Sequence, residues 1–288
     1  MAYITHLGIL ISIFSILGVS LNLVVGYTGL LSITHAAFFG LGAYATAILL
    51  TTTGIGFFTS VVVGIVVAAV GSLLIGWVLA KFKHDFYALA SFGFSIIVFS
   101  IFLNWQEVTR GPLGIPGIDR PELFGFEFSS NWSFLILSVV ALVLVYAVSQ
   151  FIAKSSFGRV LKAIREDEEA IQVFGYRTTL YKLAVFVISA GMAAIAGSLF
   201  ASYITFIDPS TFGLLESIFI LAIVILGGLA NNKGAVLGAV FLILLPELLR
   251  FVGMPSDIAA QMRQVIYGIL LILLMLYRPQ GLIGEYKL

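Results

Sequence analysis

Four consecutive carboxylates, Glu166, Asp167, Glu168 and Glu169, precede the run Ala170-Ile-Gln-Val-Phe174, which ends at Gly175. Such a run is either a plain charged loop or the start of a helix, and its order argues for the helix. Acids in a first turn suit the positive end of a helix dipole, and glycine just past a last turn suits a left-handed position. The pattern predicts a helix of about two turns from about Asp167 to Phe174, closed by Gly175, with Ala170, Ile171, Val173 and Phe174 as its apolar contacts. Two turns are not stable alone in water. The helix must therefore pack against the rest of the chain or insert into a partner's groove. Other chemistry is missing. The sequence has no Walker A pattern, no GxGxxG after a strand and no HExxH. It has no cysteine, which excludes thiolate nucleophiles, zinc thiolates and iron–sulfur clusters. His6, His35 and His84 stand apart with no metal-ligand spacing. No catalytic residue, metal site or cofactor is expected, and the chain is not read as an enzyme.

The elements that hold this segment are membrane helices. Of the 288 residues, 60% are hydrophobic and 10% charged, against about 25% charged in a soluble domain. The mean hydropathy is +1.13. A net charge of +1 leaves no basic footprint for nucleic acid. No Asp, Glu, Lys or Arg occurs from Met1 to Ala80, and a span needs roughly 20 apolar residues. Three spans fit there, near 4–25, 28–52 and 57–80. The second contains Gly29, Gly40 and Gly42 and is expected to bend or break. Six more are placed near 86–104, 132–153, 183–204, 214–230, 235–252 and 263–277. The fold class is thus an all-α polytopic membrane protein of about nine helices (eight to ten), with 1–288 as one transmembrane domain. A cleavable signal peptide is not expected, since no positive region precedes the first apolar run. Gly234-Ala-Val-Leu-Gly238 has the spacing that lets two helices approach closely, and Gly227-Gly228 reads as packing or a hinge.

Segment 154–182 carries ten of the chain's 29 charged side chains. With the N-terminus outside, nine spans place 81–85, 154–182, 231–234 and 278–288 in the cytoplasm. Those segments hold eleven of the 15 Lys and Arg residues, as the positive-inside rule requires. Arg110, Arg120, Arg250 and Arg263 fall outside. Trp105 and Trp132 flank the outer loop as an interfacial belt. Ion-driven transporters need acids near the bilayer midplane, whereas Asp85, Asp208, Glu216 and Glu247 lie at span ends. Glu247 and Arg250 have the spacing of a local ion pair. A polar group in lipid must find an internal partner, so Ser32, Thr34 and His35 are expected to face the bundle interior. With Asn22 and Tyr44 they are the candidate translocation path. For each singly, a packing hydrogen bond is the plainer role.

An acid, an alanine and then glycine five residues on is the pattern of the coupling helices of ABC permeases. The wider sequence resembles the LivM type of permease in the branched-chain amino acid family of bacterial ABC importers. The likeness rests on Gly26-Tyr-Thr-Gly-Leu-Leu-Ser-Ile-Thr-His-Ala-Ala-Phe-Phe-Gly-Leu-Gly-Ala-Tyr44, Thr109-Arg-Gly-Pro-Leu-Gly-Ile-Pro116 and Phe157-Gly-Arg-Val-Leu-Lys-Ala-Ile-Arg-Glu166. It continues in Lys182-Leu-Ala-Val-Phe-Val-Ile-Ser-Ala190, Asp208-Pro-Ser-Thr-Phe212, Ile225-Leu-Gly-Gly-Leu229 and Arg278-Pro-Gln-Gly-Leu282. Thr34 and Arg110 stand where glycine is common. The resemblance implies the fold of type II importers and residence in the bacterial inner membrane. It also implies a second, homologous permease as heterodimer partner, two ABC ATPase subunits and an extracytoplasmic substrate-binding protein. The ATPase-coupling set would be Glu166, Asp167, Glu168, Glu169, Ala170, Ile171, Phe174 and Gly175. Branched-chain, or other small neutral or zwitterionic, amino acids are the implied cargo. Urea, amide or sugar permeases, and an ATP-independent facilitator, remain alternatives.

Overall fold

The computed structural model describes residues 2–82, 84–123, 126–250 and 280–284, with 265, 268–269, 272–273 and 276–277 between them. The helices run, in chain order, α1 (Ala2–Thr28), α2 (His35–Thr53), α3 (Phe57–Leu79), α4 (His84–Asn104), the short α5 (Gln106–Thr109), α6 (Asn131–Lys154), α7 (Ser156–Glu166), α8 (Glu168–Val173), α9 (Thr178–Ile204), α10 (Leu214–Gly227) and α11 (Asn232–Arg250). Two small antiparallel pairs lie in the loops: β1 (Ile115–Pro116) with β4 (Phe206–Ile207), and β2 (Glu122–Leu123) with β3 (Phe126–Glu127). The first pair ties the long loop after α4 to the loop after α9.

Six helices, α1, α2, α3, α4, α6 and α9, are long and apolar enough to cross a membrane. The shortest, α2, has 19 residues, about 28 Å at 1.5 Å per residue, against a hydrocarbon core of about 30 Å. The expected count of nine is not reached among the described residues. The spans placed at 214–230 and 235–252 form a single pair, α10 and α11, bent by 120° at a short break. With 14 residues, α10 reaches only about 21 Å, so the pair raises the count to seven at most. Most of the span placed at 263–277, and the tail beyond 284, lie outside the described residues. The second span also begins later than 28: α1 continues to Thr28, residues 29–34 are non-helical, and α2 starts at His35.

Burial sorts the spans into two groups. Of an 18-residue apolar stretch in each, 78% lies inside the protein in α1, 67% in α9 and 61% in α2, against 17% in α6 and 22% in α3. The first three are therefore the interior, and the others present Val62, Val66, Leu74, Val143 and Leu144 outward. Between helices in lipid no hydrophobic force operates, so close packing and hydrogen bonds must hold them. Glycines allow the contact. A Cβ on Gly197 of α9 would lie 2.0 Å from the Phe39 carbonyl oxygen of α2, and one on Gly42 would lie 2.3 Å from that of Ala194. The Gly234–Gly238 pair serves α10 and α11 likewise: a Cβ on Gly238 would meet the Ile223 carbonyl at 2.1 Å.

Gly197→Val is therefore expected to destabilise the detergent-purified protein by about 1–3 kcal/mol or more, the usual cost of overpacking. Gly93→Ala, inside α4 with open space around it, should not lower the melting temperature and should raise it slightly, since alanine favours a helix interior over glycine. Equal melting curves for both would show that α2 and α9 can separate freely.

Candidate functional site

The segment 154–182 is not a loop but two successive helices and the start of a third. Ser155 ends α6 and opens α7, its hydroxyl accepting from the Gly158 amide at 3.2 Å. Gly158, Leu161 and Ile164 form the buried stripe of α7. On its flank the Arg165 guanidinium donates to the carbonyls of Val25, at 3.3 Å, and Gly26. The Val25 carbonyl also accepts from the Gly29 amide at 3.1 Å, and a cation at a helix C-terminus suits the dipole. The Lys162 ammonium lies 5.5 Å from the Tyr27 ring centre. α7 is thus fixed under the end of α1.

After it comes α8, capped at both ends. The Asp167 carboxylate accepts from the Glu169 and Ala170 amides, both at 3.0 Å, the N-cap geometry. At the other end the Gly175 amide donates to the Gln172 carbonyl at 2.9 Å and the Tyr176 amide to that of Ile171 at 3.3 Å. These two bonds make a Schellman motif, which requires a left-handed residue at its centre. Gly175 has φ +88°. The expected helix is therefore present, with its bounds corrected: Asp167 is the cap, and Glu166 is the last residue of α7. The exposed apolar face also differs from the expected set. Ala170 and Ile171 are half-buried, whereas Val173 is 87% exposed and Phe174 77% exposed. A cleft of about 290 Å³ lies between Thr28–Leu30 and the α7–α8 junction, lined by Glu166, Asp167, Glu168 and Glu169.

Glu168 turns inward. Its Oε1 lies 2.7 Å from the Lys182 ammonium and accepts from the Thr178 hydroxyl at 2.9 Å. The Gln172 amide donates to the same hydroxyl oxygen at 2.9 Å. Lys182 is 3% exposed. Sequence reasoning assigned it to the cytoplasmic segment, but α9 begins at Thr178 and Lys182 lies one turn inside it. An apolar helix interrupted near its start by one lysine was the available signal.

The five candidate path residues are all interior, none more than 3% exposed. Ser32 and Thr34 hydrogen-bond each other at 2.9 Å. The Ser189 hydroxyl of α9 donates to the Ser20 carbonyl at 2.5 Å. It must then accept from His35 Nε2, at 2.9 Å, which puts the His35 proton on Nε2. His35 Nδ1 and the Tyr44 hydroxyl have no partner among the described residues. Asn22 belongs to a second cluster. It donates to Asn232 at 3.2 Å and accepts from the Ala230 amide at 3.0 Å. Asn232 in turn donates to Ser149 at 2.8 Å and Gln150 at 3.3 Å. Tyr44 lies apart again, stacked on Phe102 at 4.4 Å. Glu247 accepts from the Tyr3 hydroxyl. The side chain of Arg250, its expected partner, lies outside the described residues.

The family model described as branched-chain amino acid transport system / permease component matches residues 3–275. The chain is 37% identical to the high-affinity branched-chain amino acid transport system permease protein LivM of Salmonella typhimurium, over 94% of this chain and 68% of that one. Identity to the protein of the same name from Escherichia coli is 36%, with the same coverage. The LivH permease protein of the Salmonella system is 25% identical over 95% of this chain and 92% of its own. No solved structure gives a significant match.

Removing the Asp167 cap should loosen α8 without touching its neighbours. Asp167→Ala is expected to cost about 0.5–2 kcal/mol, so amides 169–174 should exchange hydrogen faster by roughly two- to thirtyfold, while those of α7 keep their rates. Unchanged exchange in α8 would mean that the cap does not hold it.

Proposed function

We propose, because this chain belongs to the branched-chain amino acid transport permease components, that it is one of two membrane subunits of an ATP-driven importer. A second, homologous permease would complete the membrane pore, two ABC ATPase subunits would drive it, and an extracytoplasmic binding protein would deliver the cargo. The fold would be that of type II importers and the location the bacterial inner membrane. Leucine, isoleucine and valine are the cargo we favour, on the identity to the LivM proteins. Cargo would pass when the polar groups at the head of α2, Ser32, Thr34 and His35, part from their packing partners, with Asn22 and Tyr44 bordering the path.

The observation that carries the coupling role is α8 itself. It is a helix too short to stand alone, held by caps at both ends, with two large apolar side chains pointing away from the protein. Switching a two-state gate from 1:99 to 99:1 takes roughly 5.5 kcal/mol of differential interaction. A surface ion pair supplies at most about 1 kcal/mol. Burying Val173 and Phe174 contributes roughly 3–6 kcal/mol, at 1.5–3 per side chain, and apolar side chains on the second permease's own coupling helix would add to it. The cleft beside Thr28–Leu30 leaves room for α8 to move.

Orientation follows from charge. We place the N-terminus outside, the loop containing Pro116 outside, and α7–α8 in the cytoplasm. Taken as a re-entrant hairpin, the pair α10 and α11, bent by 120°, begins and ends on one side. Residues 282 and 283 donate to the Leu226 and Gly227 carbonyls at 2.8 and 3.0 Å, at the break that Asn22 also holds. That contact favours a cytoplasmic C-terminus.

Two experiments test these assignments. Cysteines at Ser156 and Pro116 should react with an impermeant thiol reagent from opposite sides of the membrane. Labelling from one side would overturn the orientation. Phe174→Asp and Gly175→Val should leave the permease in the membrane but release the ATPase on purification and lower leucine uptake at least tenfold. Retention of both ATPase and uptake would move coupling to another cytoplasmic surface, such as 81–85 or 231–234.

A further inference from the structure

None of the residues of α8 is fully buried, and Ala170 and Ile171 are only half-buried, so apolar packing fixes it only weakly to the rest of the chain. Its grip is polar and runs through Glu168. The Glu168 carboxylate meets Lys182, 3% exposed, at 2.7 Å and the Thr178 hydroxyl at 2.9 Å. Gln172, one turn further along α8, reaches the same hydroxyl at 2.9 Å. Thr178, Lys182 and Ser189 are spaced by four and seven residues, which puts them on one face of α9. Ser189 is the residue that bonds the Ser20 carbonyl of α1 and His35 at the head of α2. We propose that the Glu168–Lys182 pair is the link through which movement of α8 reaches α9, and along that face the start of α2. The inference rests on α8 being the ATPase contact.

The chemistry suits a transmission point. An apolar contact slides as its two faces shear. A buried ammonium cannot leave its carboxylate without standing uncompensated in an apolar site, so the pair moves as one body. The backbone on either side yields more easily: Asp167 is extended and Gly175 left-handed, each a turn bounding a helix of six residues. Force applied to Val173 and Phe174 would therefore rotate α8 about its ends and pull on Lys182. Both side chains are positioning residues; neither is assigned contact with cargo or nucleotide.

The test uses the complete transporter in proteoliposomes, with both permeases, the ATPase pair and the binding protein, and radiolabelled leucine as the probe. The readout is leucine imported per ATP hydrolysed. Glu168→Gln keeps an oxygen for Thr178 and removes only the charge. Lys182→Met keeps the length of the side chain. Each is expected to lower the ratio at least tenfold with the ATPase still in the complex. The exchanged pair, Glu168→Lys with Lys182→Glu, should recover it to within threefold. A pair that merely stabilises the fold would change yield and melting temperature and leave the ratio alone. An unchanged ratio in Glu168→Gln overturns the proposal, and that variant decides if Lys182→Met fails to assemble. So does loss of the ATPase from Glu168→Gln, which would make the pair part of the docking surface. So does an exchanged pair that assembles but stays uncoupled. Failure of the underlying reading is separate: it shows as retention of the ATPase by Phe174→Asp.

Discussion

A backbone amide inside an apolar layer has no water to bond, and that constraint shapes the interior of this protein. Two non-helical stretches run largely inside the protein. In the first, residues 29–34, the Ile33 amide donates to the Ser91 hydroxyl at 3.0 Å and the Leu30 amide to that of Thr28 at 3.4 Å. Just beyond, the Ala36 amide in the first turn of α2 donates to Ser217 at 3.2 Å. Hydroxyls from α1, α4 and α10 thus complete a helix start that Thr34, whose side chain bonds Ser32, does not cap. In the second, between α10 and α11, Ala230 sits at φ +60°, which is costly for a residue with a Cβ. The Asn22 side chain accepts its amide there. Both breaks are thereby tied to α1. A change in either would have to be carried by the helix that Arg165 holds at its C-terminal end.

The other half of the interior is α9. It faces α1, α2 and α3 with alanines, glycines and serines that carry little apolar bulk. Thr46 donates to Ser198 at 2.7 Å, and Ser198 to the Ala194 carbonyl at 3.0 Å. Ser189 joins three helices. Contacts of this kind are short-ranged and specific. They fix how far the helices approach, and they exchange partners at low cost because each hydroxyl can turn to another acceptor. A chain with no charge in its first three spans can shift its helices without exposing an ion to lipid.

How much of this was legible follows from the range of each interaction. The first, third, fourth and fifth spans were clear, because an apolar run longer than the bilayer is thick has few alternatives. The closing Gly175 of α8 was clear too, because it acts on carbonyls within five residues and the signal is local; which of the four acids forms the N-cap was not, and the structure assigns it to Asp167. The start of α2 was not. Nothing in a charge-free run separates helix from extended chain when its partners, Ser91 and Ser217, lie about 60 and 180 residues away. The same holds for the 120° bend between α10 and α11, which depends on contacts with Asn22. Lys182 was misplaced because loop and helix end both tolerate a lysine, and only Glu168 makes it an interior residue. The choice between Ala170 and Val173 as the outward face turned on how α8 lies against α7 and α9.

The end of α8 inverts the arrangement of a soluble helix, with Val173 and Phe174 outward and the Glu168–Lys182 pair inward. Each position matches what the contact must endure. Outside, an ion pair would be weakened by salt, since charges are screened over about 8 Å at physiological ionic strength. An apolar knob is insensitive to salt, and it releases at a cost set by its area, so a partner can grip it firmly in one state and loosely in another. Inside, six residues bury little apolar surface, with Ala170 and Ile171 only half-buried. One carboxylate that meets a buried ammonium and a hydroxyl does so with few atoms. The caps supply what neither face can, a fixed backbone shape for a helix below the length at which it would form by itself.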